Sequence, residues 1–206
     1  MLKTTLEFIA DELNNWLQIR DPLNFQDAKP AIITTLMKPD GTFAVNTSSG
    51  QGNDKFSIAV TLVNIEEESV FKNQPHYRQQ NEKIQVVQPP MNINLFVLFS
   101  AVADKYATAL TLINHVLSFF QSNPVFDEAG YPHLNAKVNP AEPWSELQRI
   151  VVDFYNISFE QQNNLWAALG AKYMPSALYK IRSITYTDQS PRMEGPAITE
   201  ININAS

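Results

Sequence analysis

The sequence predicts an α+β fold, in which three main helices pack on a mixed, mainly antiparallel sheet. Its elements follow the order helix, strands, helix, strand, helix, strand, which is typical of helices laid on a sheet. The most apolar segment, 91–102, alternates at first and is then apolar on both sides from 95 to 99. A short run of this kind after two prolines indicates a strand covered on both faces. We therefore place Leu95, Val97 and Phe99 in a central strand.

Composition narrows the classes of function. A chain of 206 residues suits one domain with a proper core, and a net charge of −6 argues against a general nucleic-acid binder. Only 17% of residues are charged, which favours surfaces that pack against protein. The absence of cysteine excludes disulfides and thiolate chemistry. No signal peptide, lipidation motif or membrane-length run is recognised, so we expect cytoplasmic assembly and no membrane partner.

The first third of the chain predicts one helix and two strands. Helical spacing of apolar residues predicts an amphipathic helix over about 2–18, which ends before Pro22. Strands are predicted over 31–37 and 56–65, separated by a polar, glycine-bearing loop at 46–54 that we expect to be mobile. The apolar residues that predict the helix are Leu2, Leu6, Ile9, Leu13, Trp16 and Leu17.

The middle of the chain predicts a long connection and a second helix. The polar segment 70–88 is interpreted as a loop or a long hairpin arm that leads to the central strand. Asp104 is expected to cap a helix over 105–121. Segment 124–146 carries four prolines and is expected to be irregular, with a short extended piece near Val125. The predicted inward stripe of the helix contains Tyr106, Leu110, Ile113, Leu117 and Phe120, widened by Ala109, Val116 and Phe119.

The last third predicts a strand, a well-capped helix and another strand. A strand is expected over 147–155, and Ser158 with Gln161 forms a capping-box pattern at the start of the next helix. That helix ends at Gly170, a typical residue after a helix. Pro175 then separates it from a strand at about 177–187. Core positions are assigned by spacing to Trp16, Trp166, Tyr173 and Tyr179.

Two units follow from this order. Residues 1–187 form one domain, and 188–206 form a polar C-terminal tail in which 197–203 can add an edge strand. Helices 2–18 and 105–121 are expected to cover one face of the sheet. For the other face, we expect a layer made partly by neighbouring subunits.

Motifs for catalysis are missing from the sequence. His76, His115 and His133 lie far apart and show no metal-binding spacing. The chain has no nucleophile elbow, and the glycines at 50 and 52 precede a strand rather than a helix. We therefore predict no catalytic residue, no cofactor and no metal site.

The carboxylates of Glu66, Glu67 and Glu68 allow three interpretations. They can form a metal or acid–base site, a solvated strand end, or an acidic contact patch for a basic partner. Alternation in a strand sends Glu67 to the face opposite the other two, so the three cannot converge without help. We favour the contact patch over catalysis and keep a small ligand-binding or metal-dependent enzyme as the alternative function.

Several segments together resemble the cap, or tail-terminator, family of extracellular contractile injection systems. These systems are phage-tail-like particles such as the antifeeding prophage. The resemblance covers most of 1–187 and is weakest in 38–55, 70–88 and the tail. The matching segments are LEFIADELN at 6–14, VTLVNIEEE at 60–68, PPMNINLFVLFSA at 89–101, residues 106–121, ISFEQQNNLW at 157–166, LGAKYMPS at 169–176 and YKIR at 179–182.

The resemblance implies a structural, non-enzymatic role and a phage tail-terminator-like fold. Such a protein caps the inner tube and contractile sheath at the end distal to the baseplate, as a homohexameric ring bound to tube and sheath proteins. Its particle is assembled in the bacterial cytoplasm and can be released. Expected assembly contacts are Glu66, Glu67, Glu68, Arg78, Lys83 and Arg192, with 188–206 adding a strand to a neighbour's sheet.

Overall fold

The computed structural model describes residues 1–25, 28–45, 48–49, 55–68, 76–80, 83–87, 91–138, 147–186 and 193–196. It has the predicted α+β fold. Its helices are α1 (Leu2–Arg20), α2 (Pro22–Phe25), α3 (Tyr106–Ser122) and α4 (Phe159–Leu169). Its strands are β1 (Ala31–Ile33), β2 (Ser48–Ser49), β3 (Lys55–Glu67), β4 (His76–Gln80), β5 (Lys83–Val87), β6 (Met91–Ala103), β7 (Val125–Asp127), β8 (Arg149–Phe154), β9 (Ser176–Tyr186) and β10 (Met193–Pro196).

The main sheet has the strand order β1-β3-β6-β9-β8-β7, and β2 pairs with β3 beside this path. Only β1 is parallel to its neighbour, so the sheet is mixed and mainly antiparallel, as predicted. Strand β6 lies inside the sheet between β3 and β9, where Phe99 stands between Val60 and Ala177. The central position expected for 91–102 is therefore confirmed.

A second, three-stranded sheet has the order β10-β5-β4. Hairpin β4–β5 lies within 70–88, so this segment takes the hairpin alternative rather than the loop. Residues 193–196 of the tail pair with β5 of the same chain. The edge strand expected at 197–203 lies outside the described residues.

Helices α1 and α3 cover one face of the main sheet, as predicted. Leu13 and Leu17 of α1 and Val116 of α3 are fully buried in one cluster with Leu95 and Phe99. Burying a side chain of this size is worth about 1.5–3 kcal/mol. This layer therefore supplies a large part of the driving force for folding.

The opposite face is covered by the same chain along its middle. Trp166 of α4 packs with Leu36 and Val45 over Phe96 and Leu98, and all five are buried. The expectation that neighbouring subunits make this layer is wrong for this part of the sheet, because α4 and 36–45 fold back over it. Both faces of the segment 95–99 are thus covered by other parts of the same chain.

The first strand is shorter than predicted. Only Ala31–Ile33 pairs with β3, and the chain then turns so that Leu36 reaches the second apolar cluster. A bridge between Met37 and Phe43 closes this turn. In the loop expected at 46–54, Ser48–Ser49 pairs with β3 instead, and the rest lies outside the described residues.

The N-cap expected at Asp104 is wrong. Helix α3 begins at Tyr106 with Lys105 at the N-cap and no side-chain cap hydrogen bond. Asp104 continues the sheet ladder instead: its backbone N–H donates to Lys55 O (3.2 Å), and its carboxylate accepts from Lys55 N (3.3 Å).

The stripe predicted for α3 is buried only along one side: Ala109, Val116, Phe119 and Phe120 are in the core, whereas three of its members are exposed. Tyr106, Leu110 and Leu117 are 68%, 48% and 39% exposed. On the buried side, Trp16 of α1 packs against Phe119 (ring centroids 6.0 Å). The residues actually buried are Ala109, Leu112, Val116, Phe119 and Phe120.

The predicted capping box of α4 is present. Ser158 Oγ accepts from Gln161 N (3.2 Å), and the Gln161 side chain accepts from Ser158 N (2.9 Å). The helix ends at Gly170, which adopts φ 65°, a left-handed conformation that glycine takes without a Cβ penalty. These two signals fix the helix on the second face of the sheet.

Candidate assembly surfaces

The acidic end of β3 is exposed, but its carboxylates have separate partners. Glu66 forms an ion pair with Lys180 (3.2 Å) on the neighbouring part of the sheet. Glu68 accepts a hydrogen bond from Asn94 (3.3 Å), and Asn94 itself is buried. Because each contact draws a carboxylate to a different partner, the site offers one partly neutralised negative patch rather than a convergent acid pair.

The positions of these carboxylates do not support the alternative function, a metal-dependent enzyme that uses the three glutamates. Across the described ranges, no three histidine, aspartate or glutamate side chains are placed to hold one metal ion. Glu66, Glu67 and Glu68 are all exposed.

An open groove of about 380 Å³ lies beside this patch. Its apolar lining includes Ile65, Phe96, Tyr155 and Leu165. The ammonium of Lys180 lies 5.4 Å from the centroid of the Phe96 ring and 3.2 Å from the carboxylate of Glu66, which lines the groove. The groove therefore combines an apolar floor with a charged rim.

The basic residues predicted as contacts lie in the small sheet or beyond the described part. Arg78 is in β4 and Lys83 is in β5. These two strands form one hairpin, in which Gln80 is paired with Lys83. Arg192 lies outside the described residues. The structure thus brings Arg78 and Lys83 onto one hairpin, separate from the three glutamates of the main sheet.

The residues expected to have structural roles mostly lie in the core. Leu95, Val97 and Phe99 are fully buried, Trp166 is 6% exposed, and Trp16 is half-buried at the seam with α3. Pro175 sits between α4 and β9, where its carbonyl accepts from Ala101 N (2.9 Å). Ser158 and Gly170 have their structural roles at the two ends of α4, as described above.

Tyr173 departs from the core position that its spacing predicts. Its side chain is 62% exposed, and its ring lies edge-on against Trp166 with centroids 5.6 Å apart. Spacing misplaces it because it follows Gly170, where the helical period has already ended.

The outer side of α3 is uncharged, and its exposed residues mix Tyr106, Leu110 and Leu117 with Asn114 and Gln121. Residues 106–122 contain no Asp, Glu, Lys or Arg. Tyr106, Leu110 and Leu117 recur at helical spacing and share one side of the helix. The sequence prediction assigned these three residues to the core, whereas they are exposed.

The apolar side of α3 continues onto the sheet. Phe154 of β8, 52% exposed, lies against Tyr179 (centroids 5.4 Å), which lies against Phe120 of α3 (4.4 Å). Burial raises the pKa of Tyr179 to about 12, so its hydroxyl stays neutral here.

The outer side of α4 lies on the opposite face of the sheet and is also poor in charge. Glu160 is the one charged residue among its eleven. Beyond it, the exposed residues are small or neutral: Asn163, Asn164, Ala167 and Ala168. Phe159, at the start of the helix, is 90% exposed.

His133, Lys137 and His115 make contacts that join separate elements of the fold. His133 lies 2.8 Å from Glu12, and Lys137 pairs with Asp11, so segment 133–137 is tied to α1 beside a cleft of about 360 Å³. His115 lies between Trp16 and Phe25. Burial lowers the pKa of His115, and this favours its neutral form.

No helix within the described ranges is both long and apolar enough to cross a bilayer.

Comparison with known proteins identifies the fold. No curated protein matches the chain. The structure is similar to the PVC sheath/tube terminator of an extracellular contractile injection system in its extended state, with TM-score 0.55 and 13% identity over 95% of this chain. It is similar to the anti-feeding prophage tube-terminating cap, with TM-score 0.57 and 14% identity over 96% of this chain. The chain spans 62% and 60% of those two proteins.

Family membership follows from the sequence profile of the Pvc16 N-terminal domain, which matches residues 4–200. This range contains both sheets and all four helices except the first two residues of α1. The chain therefore belongs to the Pvc16 N-terminal domain family, in agreement with its resemblance to terminator caps of contractile injection systems.

Proposed function

We propose that this protein is a structural cap that terminates the inner tube and contractile sheath of a contractile injection system at the end distal to the baseplate. The observation that carries the proposal is the shared fold with a sheath/tube terminator and a tube-terminating cap over 95–96% of the chain. Membership of the Pvc16 N-terminal domain family supports it independently.

The proposed role is non-enzymatic and requires no cofactor. Supporting this, the glutamates at the end of β3 are exposed and have separate partners, Lys180 for Glu66 and Asn94 for Glu68. A terminator works by binding the last ring of a polymer and leaving no surface for the next one. Binding surfaces, rather than a reaction centre, are then the functional parts of the molecule.

The cap acts as a ring of identical copies, six in the family that the sequence resembles. A closed ring needs two different surfaces on each subunit, since head-to-tail contacts repeat around the axis. The low charge content of the chain, 17%, suits a subunit with much of its surface in contact with protein. Tube and sheath proteins of the same particle are its other partners.

The contacts with tube and sheath are assigned to the charged parts of the surface. Glu66, Glu67 and Glu68 beside the groove fit a basic segment of a partner, as the apolar floor and negative rim are complementary to such a segment. Arg78 and Lys83 of the β4–β5 hairpin, together with Arg192, fit an acidic one. These contacts provide orientation and rate of assembly more than affinity.

The test is to express the tube and sheath proteins with and without this chain and to measure particle length by negative-stain electron microscopy. With the chain, we expect one narrow length distribution and a density at the end distal to the baseplate. Without it, tubes and sheaths should have a broad range of lengths. Identical length distributions in the two cultures would contradict the proposal.

Two controls make this test specific. A Leu13→Asp variant places a charge in the fully buried core and should behave as the deletion, since it does not fold. Light scattering coupled to size-exclusion chromatography then reports the size of the purified chain. A ring, or a monomer that forms rings only on tube ends, agrees with the proposal, whereas a stable monomer that binds a divalent metal tightly favours an enzyme.

A further inference from the structure

The groove at the end of β3 lies beside polar groups that share the need for one more positively charged donor. Glu66 lines this groove, and Asn94, which is paired with Glu66 across the sheet, donates a hydrogen bond to Glu68. We infer that the groove binds a segment of the tube protein in which a lysine or arginine lies close to an apolar residue. This inference rests on the proposed cap function and names a contact by which the cap holds the tube.

The side chain of Asn94 is the first observation. Asn94 is 3% exposed and lies opposite Glu66 in the β3–β6 ladder, so the two side chains project to one face of the sheet, together with Phe96. The Nδ2 of Asn94 donates to Glu68 (3.3 Å). Its Oδ1 is buried and has no hydrogen-bond partner within the described part of the chain. Because a carboxylate only accepts, reversing the amide would not satisfy both groups, and the acceptor still lacks a donor.

The balance of charge is the second observation. Glu66 is paired with Lys180 (3.2 Å), whereas Glu68 accepts from the neutral amide of Asn94. Lys180 is also opposite Asp153 in the sheet, and Asp153 is paired with Arg182 (2.6 Å). The carboxylates in this set of described side chains therefore outnumber the cations: Glu66, Glu68 and Asp153 against Lys180 and Arg182.

Helix α4 adds a negative charge at the other wall of the groove. Gln161 of α4 lines the groove, and the residue before it, Glu160, is exposed and is the one charged residue of the helix. The carboxylates of Glu66 and Glu160 therefore belong to the two elements that border the groove. A cation entering between these elements meets an excess of negative charge, which favours a basic partner over an acidic one.

The apolar lining determines what accompanies the cation. Seven of the ten lining residues that the structure describes are apolar or aromatic, and Glu66 is the only charged one among them. The ring of Tyr155 stands edge-on against Phe96, with centroids 4.9 Å apart. Lysine and arginine cover apolar surface with their aliphatic stems while the charged head reaches a polar rim. The groove thus fits the stem of a basic residue whose head lies at Glu66 and Glu68.

A neighbouring cavity gives room for an adjacent apolar side chain. This cavity, of about 170 Å³, lies between α4 and the strands β8 and β9, and its lining includes Trp166 and Leu98. It shares four lining residues with the groove: Tyr155, Ile157, Leu165 and Leu178. An extended segment that crosses these four residues places a basic side chain at one end and an apolar one at the other.

The tube protein is the occupant to which the inference commits. Of the two partners in the proposed function, the tube is the one that both terminators of the same fold share. A second copy of this chain fits less well, because its net charge of −6 makes its surface acidic overall.

The experiment replaces Tyr155 by the photoreactive residue p-benzoylphenylalanine in particles formed with natural tube and sheath proteins. Tyr155 is an aromatic residue that is 39% exposed and lines both cavities. After irradiation, mass spectrometry should identify a cross-linked tube segment with a lysine or arginine within about three residues of the linked position, since an extended chain rises about 3.3 Å per residue. The matched control places the same photoreactive residue at Ile19 of α1, which is 83% exposed, and should give no tube cross-link.

A second measurement removes the negative charge. In the photoreactive chain, Glu66→Gln with Glu68→Gln should lower the yield of the tube cross-link on the order of tenfold, which corresponds to about 1.4 kcal/mol. The matched control is Glu7→Gln with Asp11→Asn, which removes two carboxylates that form ion pairs on α1 and should leave the yield unchanged. If the photoreactive chain does not fold, the same two double variants are compared in the natural chain by their incorporation into particles, with the same tenfold difference expected.

Four results in particles of normal length would overturn the inference and leave the cap function standing. Three of them concern the cross-link: it joins the sheath protein, it joins a second copy of this chain, or it joins a tube segment without a nearby lysine or arginine. The fourth is equal yield, or equal incorporation, for the two double variants. Absence of the natural chain from particles of normal length would contradict both the cap function and this contact.

Discussion

Helices α1 and α3 lie side by side on one face of the same sheet, yet their outer sides differ in chemistry. Both bury leucine and phenylalanine in one core cluster. The accessible side of α1 carries charged residues such as Lys3 and Glu7, which form an ion pair (3.6 Å). The accessible side of α3 carries Tyr106, Leu110 and Leu117 and no charge. The two helices therefore share the chemistry of their inner sides and differ in that of their outer sides.

The largest expected effect tests whether the inner sides are equivalent. Leu13→Ala in α1 and Leu112→Ala in α3 each remove a fully buried side chain. Each should lower the free energy of unfolding by about 2–5 kcal/mol, because the loss combines transfer energy with a cavity. Urea denaturation of the purified chain measures both. A loss below about 1 kcal/mol for one of them would show that its helix is not anchored as described.

The next prediction compares the stability effects of replacing two asparagines, one in each helix. Asn14 of α1 is buried and bonds both backbone groups of Ala31, accepting from its N–H (2.9 Å) and donating to its carbonyl (3.0 Å). Asn14→Ala should cost about 1–3 kcal/mol of stability, because it leaves these groups unpaired at the edge strand β1. Asn114→Ala, at an exposed position of α3, should change stability by less than about 0.5 kcal/mol.

The sequence predicts such inner contacts better than outer ones, for a physical reason. Periodicity correctly indicates α1, α4 and the central strand, since burial of one face is imposed by the chain itself. It assigns Tyr106, Leu110 and Leu117 of α3 to the core, because an exposed apolar side of a helix has the same composition as one that meets the core. Tyr106 and Leu112 are both apolar residues in a helix, and spacing alone does not distinguish their partners.

The candidate site was harder to predict than the fold. The glutamates were recognisable as a surface patch, but their partners Lys180 and Asn94 come from strands that are distant in sequence. The prediction that Asp104 caps α3 was wrong for a similar reason, because its carboxylate bonds the backbone of Lys55, forty-nine residues earlier. Contacts between distant segments depend on register, which the local pattern does not contain.

A smaller effect concerns the seam between the two helices. Burial lowers the pKa of His115 below 6.5, with Arg20 adding to the effect and Asp21, 3.8 Å away, opposing it. The unfolded chain therefore binds more protons, so the contribution of His115 to stability is complete above pH 6.5 and is lost as pH falls toward the lowered pKa. His115→Gln should lack this part of the pH dependence in urea titrations between pH 5 and 8.

The control for the pH experiment is His133→Gln, since His133 is more than half exposed at its contact with Glu12. A wild-type pH profile that matches the profile of His115→Gln at every pH would show that the seam does not exclude water from this imidazole.

The smallest effect on the isolated chain comes from the outer sides. Leu117→Ser in α3 and Ile19→Ser in α1 should each change the free energy of unfolding by less than about 1 kcal/mol, because both side chains are substantially exposed. The difference should appear only in assembly, where Leu117→Ser weakens incorporation into particles and Ile19→Ser does not. Equal incorporation of the two variants would remove the distinction between the outer sides.

The most direct test of this distinction measures protection of the two outer sides in the assembled state. A Leu117→Cys chain and an Ile19→Cys chain, each with a single thiol, are labelled with a maleimide as purified chains and again in particles. We predict that Cys labelling at position 117 is slowed at least about tenfold by assembly, whereas labelling at position 19 is unchanged, as expected for a buried and an accessible site. Equal labelling rates at position 117 before and after assembly would contradict the account.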